Sequence, residues 1–302
     1  MNKYGKFVGL FREFYNEDNI KIDEKLSGYV NFKVGGPADI LLIPDSKEQI
    51  KKSICICKEN NIPVYIIGNG SNILVRDGGF RGVVMSLKGV HNITVNDERI
   101  EAECGAMLKE VSDKAMENSL TGFEFACGIP GTIGGAVFMN AGAYDGEIAH
   151  VIESAEVIDE NCNVINLTNE ELDFGYRSSL VMKKGYTVLS AVFKLKKGQV
   201  KTIKDLVDDL TNKRESKQPL EYPSAGSVFR NPEGMYAGKL IEDIGYKGKR
   251  KGDAMVSLKH ANFIVNVGNA SGDDIKALIL EIKEKVKEEY NVDLKVEQEF
   301  VE

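Results

Sequence analysis

Helical spacing of apolar residues recurs along the chain and predicts six helices. The first, over residues 7–14, separates its apolar positions with charges, which is typical of an amphipathic surface helix. Two later helices begin with a capping pair, Ser46 with Gln49 and Ser271 with Asp274. The predicted helices after the first cover approximately residues 46–60, 107–118, 200–217, 235–244 and 272–290.

Short apolar or alternating runs, bounded by turn residues, predict strands between these helices. Their alternation suits half-buried sheets. The stretch from the first helix to about Gly28 is predicted to be a linker. Strands are predicted at approximately 40–43, 63–67, 73–75, 83–86, 93–95, 99–104, 154–159, 164–167, 187–195 and 262–267, with a last one ending near 300.

The order of these elements predicts more than one packed unit. A strand, a helix, a strand and a glycine-rich turn begin an α/β unit, and 302 residues suffice for two or three units. Gly198 then interrupts the pattern before a charged helix. We therefore predict a first domain over 1–198, with lobes of about 1–85 and 86–198, and a second domain over 199–302, whose last strand is able to return to the active site.

Composition restricts the class of ligand and the compartment. A formal charge of −7 and a pI near 5.3 disfavour nucleic acid, because phosphate backbones attract basic faces. An anionic small ligand needs a local basic pocket, and basic residues cluster at 213–217 and 247–251, where a solvated face is an equally good interpretation. Five cysteines without ligand spacing predict neither a metal site nor a disulfide framework. The sequence has no signal-peptide core and no run near the roughly 20 apolar residues of a membrane span, so we predict a cytoplasmic protein.

Two glycine-rich segments suggest phosphate binding. Gly68–Asn72 (GNGSN) follows an apolar strand directly, so glycine lets a phosphate approach backbone amides at the strand end. A plain connecting turn explains this short sequence equally well. It is not a Rossmann fingerprint, because it lacks G-x-G-x-x-G and leads into another strand.

The second segment, Gly128–Glu147 (GIPGTIGGAVFMNAGAYDGE), is more informative. It holds six glycines and almost no charge until its end. Its glycines would bring backbone close to a large ligand, and Thr132 offers a hydroxyl. A buried packing crossover between two lobes is the alternative. Two such loops, far apart in sequence, are typical of a dinucleotide lying between two α/β lobes.

Four segments in this order resemble signatures of the UDP-N-acetylenolpyruvoylglucosamine reductase family: GNGSNILV at 68–75, the segment at 128–147, FGYRSS at 174–179 and PSAGSVFRNP at 223–232. NFKVGGPAD at 31–39 and HANFIVN at 260–266 extend the similarity over nearly the whole chain. The resemblance implies an α+β protein with a two-lobed FAD-binding fold of the vanillyl-alcohol-oxidase type and a smaller α+β C-terminal substrate domain. The short interval between Gly175 and Ser227 is similar to the shorter type II form, which lacks a substrate-covering insertion.

The resemblance also implies the reaction and its partners. Hydride would pass from NADPH to non-covalently bound FAD, and then to the enolpyruvyl double bond of UDP-N-acetylglucosamine enolpyruvate, giving UDP-N-acetylmuramate for peptidoglycan synthesis. NADPH would take turns with the sugar nucleotide in one cleft. Contacts to FAD are expected from Gly68, Asn69, Gly70, Ser71, Asn72, Gly128, Ile129, Pro130, Gly131, Thr132, Ile133, Gly134, Gly135 and Gly142.

Three residues match catalytic positions of the family. Arg177 is expected to polarise the substrate carboxylate, because a guanidinium grips it in two places and stays charged. Ser227 matches the proton donor, and Glu297 matches the glutamate that assists the enol. The family usually continues Glu-Val-Arg here, whereas this chain reads Glu-Gln-Glu. Glu299 therefore competes with Glu297, and both would point to the same face of a strand.

The substrate is expected to contact Tyr176, Lys217, Arg230 and Asn231, for which ordinary surface polarity is the alternative. His260 belongs to a matched segment but receives no chemical role, and no oligomer is evident. Two other functions stay open: another FAD oxidase or dehydrogenase of the same fold, and a sugar-nucleotide-binding protein without redox chemistry.

Overall fold

The structure is a computed structural model that describes residues 2–302. The α-helices in this range lie close to those predicted from apolar spacing, with two short additions within 133–184. They are α1 Val8–Arg12, α2 Lys47–Glu59, α3 Leu108–Glu117, α4 Ile133–Met139, α5 Leu180–Lys184, α6 Val200–Lys217, α7 Ala237–Asp243 and α8 Gly272–Tyr290.

The strands are short, and many coincide with the predicted ones. They are β1 Ile20–Lys25, β2 Pro37–Leu42, β3 Val64–Ile67, β4 Ile73–Val75, β5 Phe80–Ser86, β6 Ile93–Asn96, β7 Arg99–Glu103, β8 Leu120–Thr121, β9 Gly142–Ala143, β10 Gly146–Glu147, β11 Ile152–Ile158, β12 Val164–Thr168, β13 Thr187–Lys194, β14 Lys196–Lys197, β15 Arg250–Lys251, β16 Ala254–Val256, β17 Ile264–Asn266 and β18 Glu299–Val301.

The first sheet has the order β1-β2-β5-β3, with β2, β5 and β3 parallel and β1 antiparallel at the edge. The prediction of a linker up to Gly28 was wrong here, because β1 pairs with β2 from Ile20 opposite Leu42 to Lys25 opposite Pro37. Most side chains of this edge strand are partly or fully exposed. Its hydrophobic alternation is therefore faint in the sequence.

The second sheet is antiparallel, with the order β12-β11-β13-β7-β6. Helix α4 packs against β13. This helix occupies the middle of the glycine-rich segment, where no helix was predicted, and ends at Asn140 in the left-handed conformation with φ of 48°. A single large core extends through this part of the chain, with Phe123, Phe193 and Ile133 fully buried in it.

The third unit contains β15, β16 and β17 in one antiparallel sheet, with α8 against it. Its core includes Phe32, Val34 and Leu74 from the N-terminal part of the chain. Strand β18 then leaves this unit and pairs in parallel with β4, placing Glu299 opposite Ile73. The last strand thus pairs with the N-terminal part of the chain. The domain boundary near residue 198 stays a prediction.

Two predicted helix starts are confirmed by their caps. Ser46 Oγ accepts a hydrogen bond from the backbone N–H of Gln49, and Ser271 forms a complete capping box with Asp274. These caps fix where α2 and α8 begin. None of the helices within residues 2–302 is long and apolar enough to cross a membrane.

Candidate active site

Two cavities lie next to each other between the units. The first has a volume of about 410 Å³. Its lining combines residues near 176, the loop after α6, α7, and the segments that precede β15, β17 and β18. These residues are Tyr176, Arg177, Ser227, Phe229, Asn231, Tyr236, Gly238, Lys239, Glu242, Lys247, Lys259, His260, Ala261, Asn262 and Glu297.

Arg177 is fixed from several sides. Its Nε donates to Glu297 Oε1 at 3.2 Å, and its terminal nitrogens donate to the carbonyls of Gly142 at 3.2 Å and Asn140 at 3.5 Å. Its backbone has φ of 52°, a conformation that costs free energy in a residue with a Cβ. A tight turn holds this conformation, because Gly175 and Ser178 exchange two backbone hydrogen bonds. The guanidinium is therefore preorganised at the wall of the first cavity.

Glu297 lies beside Arg177 just before β18. Its backbone N–H donates to Val228 O at 2.8 Å, and its carbonyl accepts from Asn72 Nδ2 at 3.1 Å. Burial raises the pKa of this carboxyl above its ordinary value, while the positive charges of Arg177 and Arg230 oppose the increase. A carboxyl with a raised pKa can hold a proton closer to neutral pH than an exposed one.

Ser227 lies on the loop between α6 and α7. It forms an isolated antiparallel bridge with Phe263, and the next residue, Val228, donates its N–H to Asn262 O at 2.8 Å. Gly226 before it has φ of 73°, which glycine adopts without strain. These contacts place Ser227 on the wall that also contains Arg177 and Glu297.

A basic wall completes the first cavity and was not predicted residue by residue. Lys239, Lys247 and Lys259 line it. Lys239 pairs with Asp243 and Lys247 with Glu242, whereas Lys259 Nζ donates to a backbone carbonyl, that of Glu215, at 2.6 Å. Lys247 belongs to a basic cluster for which a solvated face had been an equal interpretation. Two features of the sequence could have indicated this wall. One is the basic cluster at 247–251, and the other is the position of Lys259 beside the matched segment at 260–266. This acidic protein therefore carries a locally basic pocket, which an anionic ligand requires.

His260 lines the same cavity. Burial lowers its pKa below the ordinary value, so the ring is neutral near neutral pH. Its Nδ1 accepts from the N–H of Asn262 at 3.2 Å, which leaves the proton on Nε2.

The second cavity, of about 480 Å³, runs between the two glycine-rich segments. All five residues of 68–72 line it, and so do Ile129, Gly131, Thr132, Gly134 and Gly135. Apolar side chains of β3, α4 and α5 form much of the remaining wall. The predicted loops are thus brought together around one cavity, as a dinucleotide between two lobes requires.

Close packing explains two of the glycines. A Cβ on Gly68 would lie 2.2 Å from Thr132 Oγ1, which is far inside contact distance. At Gly70, φ is 65° and a Cβ would lie 2.4 Å from the Tyr29 carbonyl oxygen. Neither position has room for a side chain, because the backbone there packs directly against another segment of the chain.

Unsatisfied polar atoms indicate that the second cavity is built for a ligand. Within residues 2–302, seven buried side-chain nitrogen or oxygen atoms lack a hydrogen-bond partner, and three of them belong to residues lining this cavity. They are Thr132 Oγ1, Arg230 Nε and Gln298 Oε1. A buried group without a partner costs free energy unless a bound molecule supplies one. A hydroxyl, a cationic donor and an amide acceptor suit FAD, which offers phosphates, hydroxyls, ring carbonyls and a ring N–H.

The remaining predicted cofactor residues lie outside that lining. Pro130 contributes its carbonyl, which accepts from Asn69 Nδ2 at 2.8 Å, and so links the two glycine-rich loops. Ile133 is fully buried in the core. A Cβ on Gly128 would lie 2.6 Å from Arg214 Cδ, and Gly142 binds Arg177 through its carbonyl.

The predicted substrate residues divide between the cavities. Tyr176 and Asn231 line the first cavity, whereas Arg230 lines the second. Lys217 is exposed at the end of α6 and lines neither cavity.

Glu297 and Glu299 have different surroundings. Glu299 Oε2 accepts a hydrogen bond from Tyr65 Oη at 2.8 Å, and both residues line the second cavity. Among residues 2–302, Glu297 alone lines both cavities. We call this place, where Glu297 borders both cavities, the junction. A group there can contact a molecule in either cavity.

Comparison with known proteins first defines the class. Residues 38–168 match the family model described as FAD binding domain. The structure of 4-ethylphenol oxidase from Gulosibacter chungangensis is similar in fold, with a TM-score of 0.51 at 15% identity over 64% of this chain and 42% of that one. The two lobes and the cavity between them are therefore those of an FAD-binding flavoprotein with an α+β fold.

The particular family follows from closer relatives. Residues 218–301 match the model described as UDP-N-acetylenolpyruvoylglucosamine reductase, C-terminal domain. The reductase of that name from Clostridium perfringens (strain SM101 / Type A) is 56% identical over 301 residues, covering 100% of this chain and 99% of the relative. The crystal structure of the Thermus caldophilus reductase superposes with a TM-score of 0.80 at 35% identity, over 94% of this chain and 100% of that one. The chain belongs to the UDP-N-acetylenolpyruvoylglucosamine reductase family.

Proposed function

We propose that this chain reduces UDP-N-acetylglucosamine enolpyruvate to UDP-N-acetylmuramate in peptidoglycan precursor synthesis, with FAD in the second cavity and NADPH as electron donor. The observation that carries the proposal is the junction at Glu297, where a basic cavity with Arg177 and Ser227 meets the glycine-lined cavity. FAD supplies the carrier that accepts hydride from NADPH and delivers it to the alkene. The enolpyruvyl C=C gains one hydride and one proton, and NADPH becomes NADP⁺.

Arg177 binds the carboxylate of the enolpyruvyl group in this proposal. Hydride addition to the alkene places negative charge toward that carboxylate, so a fixed cation stabilises the product of this step more than the substrate. Three existing hydrogen bonds orient the guanidinium, and its remaining N–H groups are available to the substrate.

Ser227 and Glu297 handle the proton. Ser227 donates it to the carbon next to the carboxylate, and Glu297, rather than Glu299, assists because it lines the same cavity as Ser227. The raised pKa of Glu297 supports this role, since a carboxyl with a raised pKa stays protonated at a higher pH and so still has a proton to supply there. Glu299 contacts Tyr65 and lines only the second cavity.

The basic wall accounts for the nucleotide part of the substrate. Lys239, Lys247 and Lys259 supply cationic donors for a diphosphate, and Tyr236 and Asn231 lie beside them. NADPH also carries a diphosphate, so we propose that it uses this cavity in turn with the sugar nucleotide. The cytoplasmic location stays a prediction.

Separate half-reactions test the proposal. In wild-type protein, NADPH should bleach the flavin absorbance without oxygen, and the enolpyruvyl substrate should restore it. Ser227→Ala should leave bleaching nearly unchanged and slow the restoration by roughly 10²- to 10⁴-fold, because protonation belongs only to the second half-reaction. Ser224→Ala, in the same loop but outside the cavity lining, is the matched control.

The alternatives give different results. Restoration of the absorbance by oxygen at full turnover rate would favour an oxidase of the same fold. Absence of bleaching by NADPH would favour a binding protein without redox chemistry. Equal losses in both half-reactions of Ser227→Ala would remove Ser227 from the role of proton donor.

A further inference from the structure

Arg230 was expected to contact the substrate, yet it lines the other cavity. Its backbone N–H donates to Lys295 O at 2.9 Å, which anchors the residue beside the segment leading into β18. Its Nε is buried without a hydrogen-bond partner. The neighbouring Asn231 lines the first cavity. Successive residues of an extended segment point to opposite sides, so the two side chains separate.

Arg230 lies near the junction of the two cavities. Its charge is one of the influences that oppose the raised pKa of Glu297, which places the guanidinium within electrostatic range of that carboxyl. Val296, Glu297 and Gln298 line the second cavity together with it. This end of the cavity is therefore the end that adjoins Arg177 and Ser227.

The junction also determines which part of a flavin dinucleotide lies here. A ring that exchanges hydride with a molecule in the first cavity would lie at the end lined by Glu297. The glycine-rich loops would then hold the phosphates through backbone amides. Gln298 supports this orientation, because its Nε2 donates to the carbonyls of Ala225 and Gly226 and leaves Oε1 as an unpaired acceptor for a ring N–H.

We propose that Arg230 contacts the redox-active ring of the flavin and stabilises its reduced form. Hydride transfer from NADPH moves two electrons and one proton to the ring and leaves NADP⁺, so the ring gains one negative charge until the hydride passes to the alkene. The guanidinium of Arg230, a half-buried residue whose Nε has no hydrogen-bond partner, stabilises this added charge. Without Arg230, the ring would meet the carboxyl groups of Glu297 and Glu299 with no cation on the same wall.

The inference rests on the proposed function, because it needs flavin in the second cavity. Arg230→Gln and Arg230→Lys are compared with wild type as FAD-loaded proteins, without sugar nucleotide. The reduction potential of the bound flavin is measured against a reference dye, and the affinity for oxidised FAD is measured by fluorescence. Arg99→Gln is the matched control, since it removes an equal charge from an exposed ion pair with Glu153.

Arg230→Gln should weaken binding of reduced FAD about tenfold more than binding of oxidised FAD, which lowers the potential by about 30 mV for a two-electron couple. The flavin potential in Arg230→Lys should lie close to that of wild type, and the potential in Arg99→Gln should equal it. If Arg230→Gln does not fold, Arg230→Met provides the same comparison. An unchanged potential with a raised KM for the sugar nucleotide would overturn the inference and return Arg230 to the substrate. Failure of the wild-type protein to bind FAD would instead contradict the proposed function.

Discussion

The Arg177–Glu297 ion pair allows a prediction about stability that is independent of substrate. Arg177→Met removes the charge but keeps much of the side-chain volume. It leaves Glu297 as a largely buried carboxyl whose nearest cation is gone. Arg177 is the largest influence opposing the raised pKa of Glu297, so the substitution should raise that pKa further.

The expected loss of unfolding free energy follows from the distance between the charged groups of Arg177 and Glu297 and from their burial. The charged atoms are 3.2 Å apart, and the two side chains are 19% and 11% exposed. With an effective dielectric constant of about 20, Coulomb's law gives about 5 kcal/mol as an upper value. Partial exposure and local relaxation reduce this, and breaking comparable buried pairs costs about 3–5 kcal/mol. We expect Arg177→Met to lose about 2–4 kcal/mol of unfolding free energy where Glu297 is ionised.

The loss depends on pH in a defined direction. A carboxyl with a raised folded-state pKa binds its proton more tightly in the folded protein, so its contribution to stability is full at low pH. That contribution is lost as pH rises through the interval up to the folded-state pKa. The deficit of Arg177→Met should therefore be small at about pH 5 and near its full size at about pH 8.

Thermal unfolding at the two pH values measures this, with FAD held at one saturating concentration because ligand binding shifts the midpoint. A loss of this size lowers Tm by roughly 3–6 °C in a chain of this length. Glu297→Gln and the double variant complete a cycle. Equal destabilisation by Arg177→Met at both pH values, or the same pH dependence in the Glu297→Gln background, would refute the reasoning.

Two further predictions concern the walls of the cavities. Gly68→Ala should weaken FAD binding at least about tenfold, or about 1.4 kcal/mol, because its Cβ would lie 2.2 Å from Thr132 Oγ1. Fluorescence titration measures this, with Gly78→Ala as control because nothing lies within 4 Å of a Cβ there; equal affinity in both variants would contradict it. Lys259→Gln should raise KM for the sugar nucleotide about tenfold with a smaller change in kcat, since a charged hydrogen bond contributes about 1.5–3 kcal/mol. Steady-state kinetics measures this change, with Lys201→Gln as the control because Lys201 forms an exposed ion pair within a helix. An unchanged KM in Lys259→Gln would show that Lys259 does not contact the diphosphate.

Local signals in the sequence predicted much of the secondary structure. Side-chain capping by Ser46 and Ser271 is a short-range interaction, so it appears in the sequence as a pair three residues apart. Strand β1 was missed because an edge strand buries little and keeps little alternation. Helix α4 was missed because glycines weaken a helical pattern, and its position is set by packing against β13.

The candidate site was less predictable, because it depends on contacts between distant segments. The matched motifs identified Arg177, Ser227 and Glu297, which line one cavity. They did not separate Arg230 from Asn231, which are adjacent in sequence but line different cavities. No motif predicted the individual basic residues of the wall, since Lys239, Lys247 and Lys259 converge only when α7 and the segments around it fold together.

The segment leading into β18 connects the two cavities physically. Glu297 contacts Asn72 and Arg177, which are 225 and 120 residues away, and Glu299 contacts Tyr65, which is 234 residues away. Each of these contacts joins the last residues of the chain to a wall of one cavity. A ligand that shifts this segment in one cavity therefore changes the position of Glu297 relative to the other. Binding in the two cavities is expected to be coupled, and by linkage the coupling free energy must be equal in both directions.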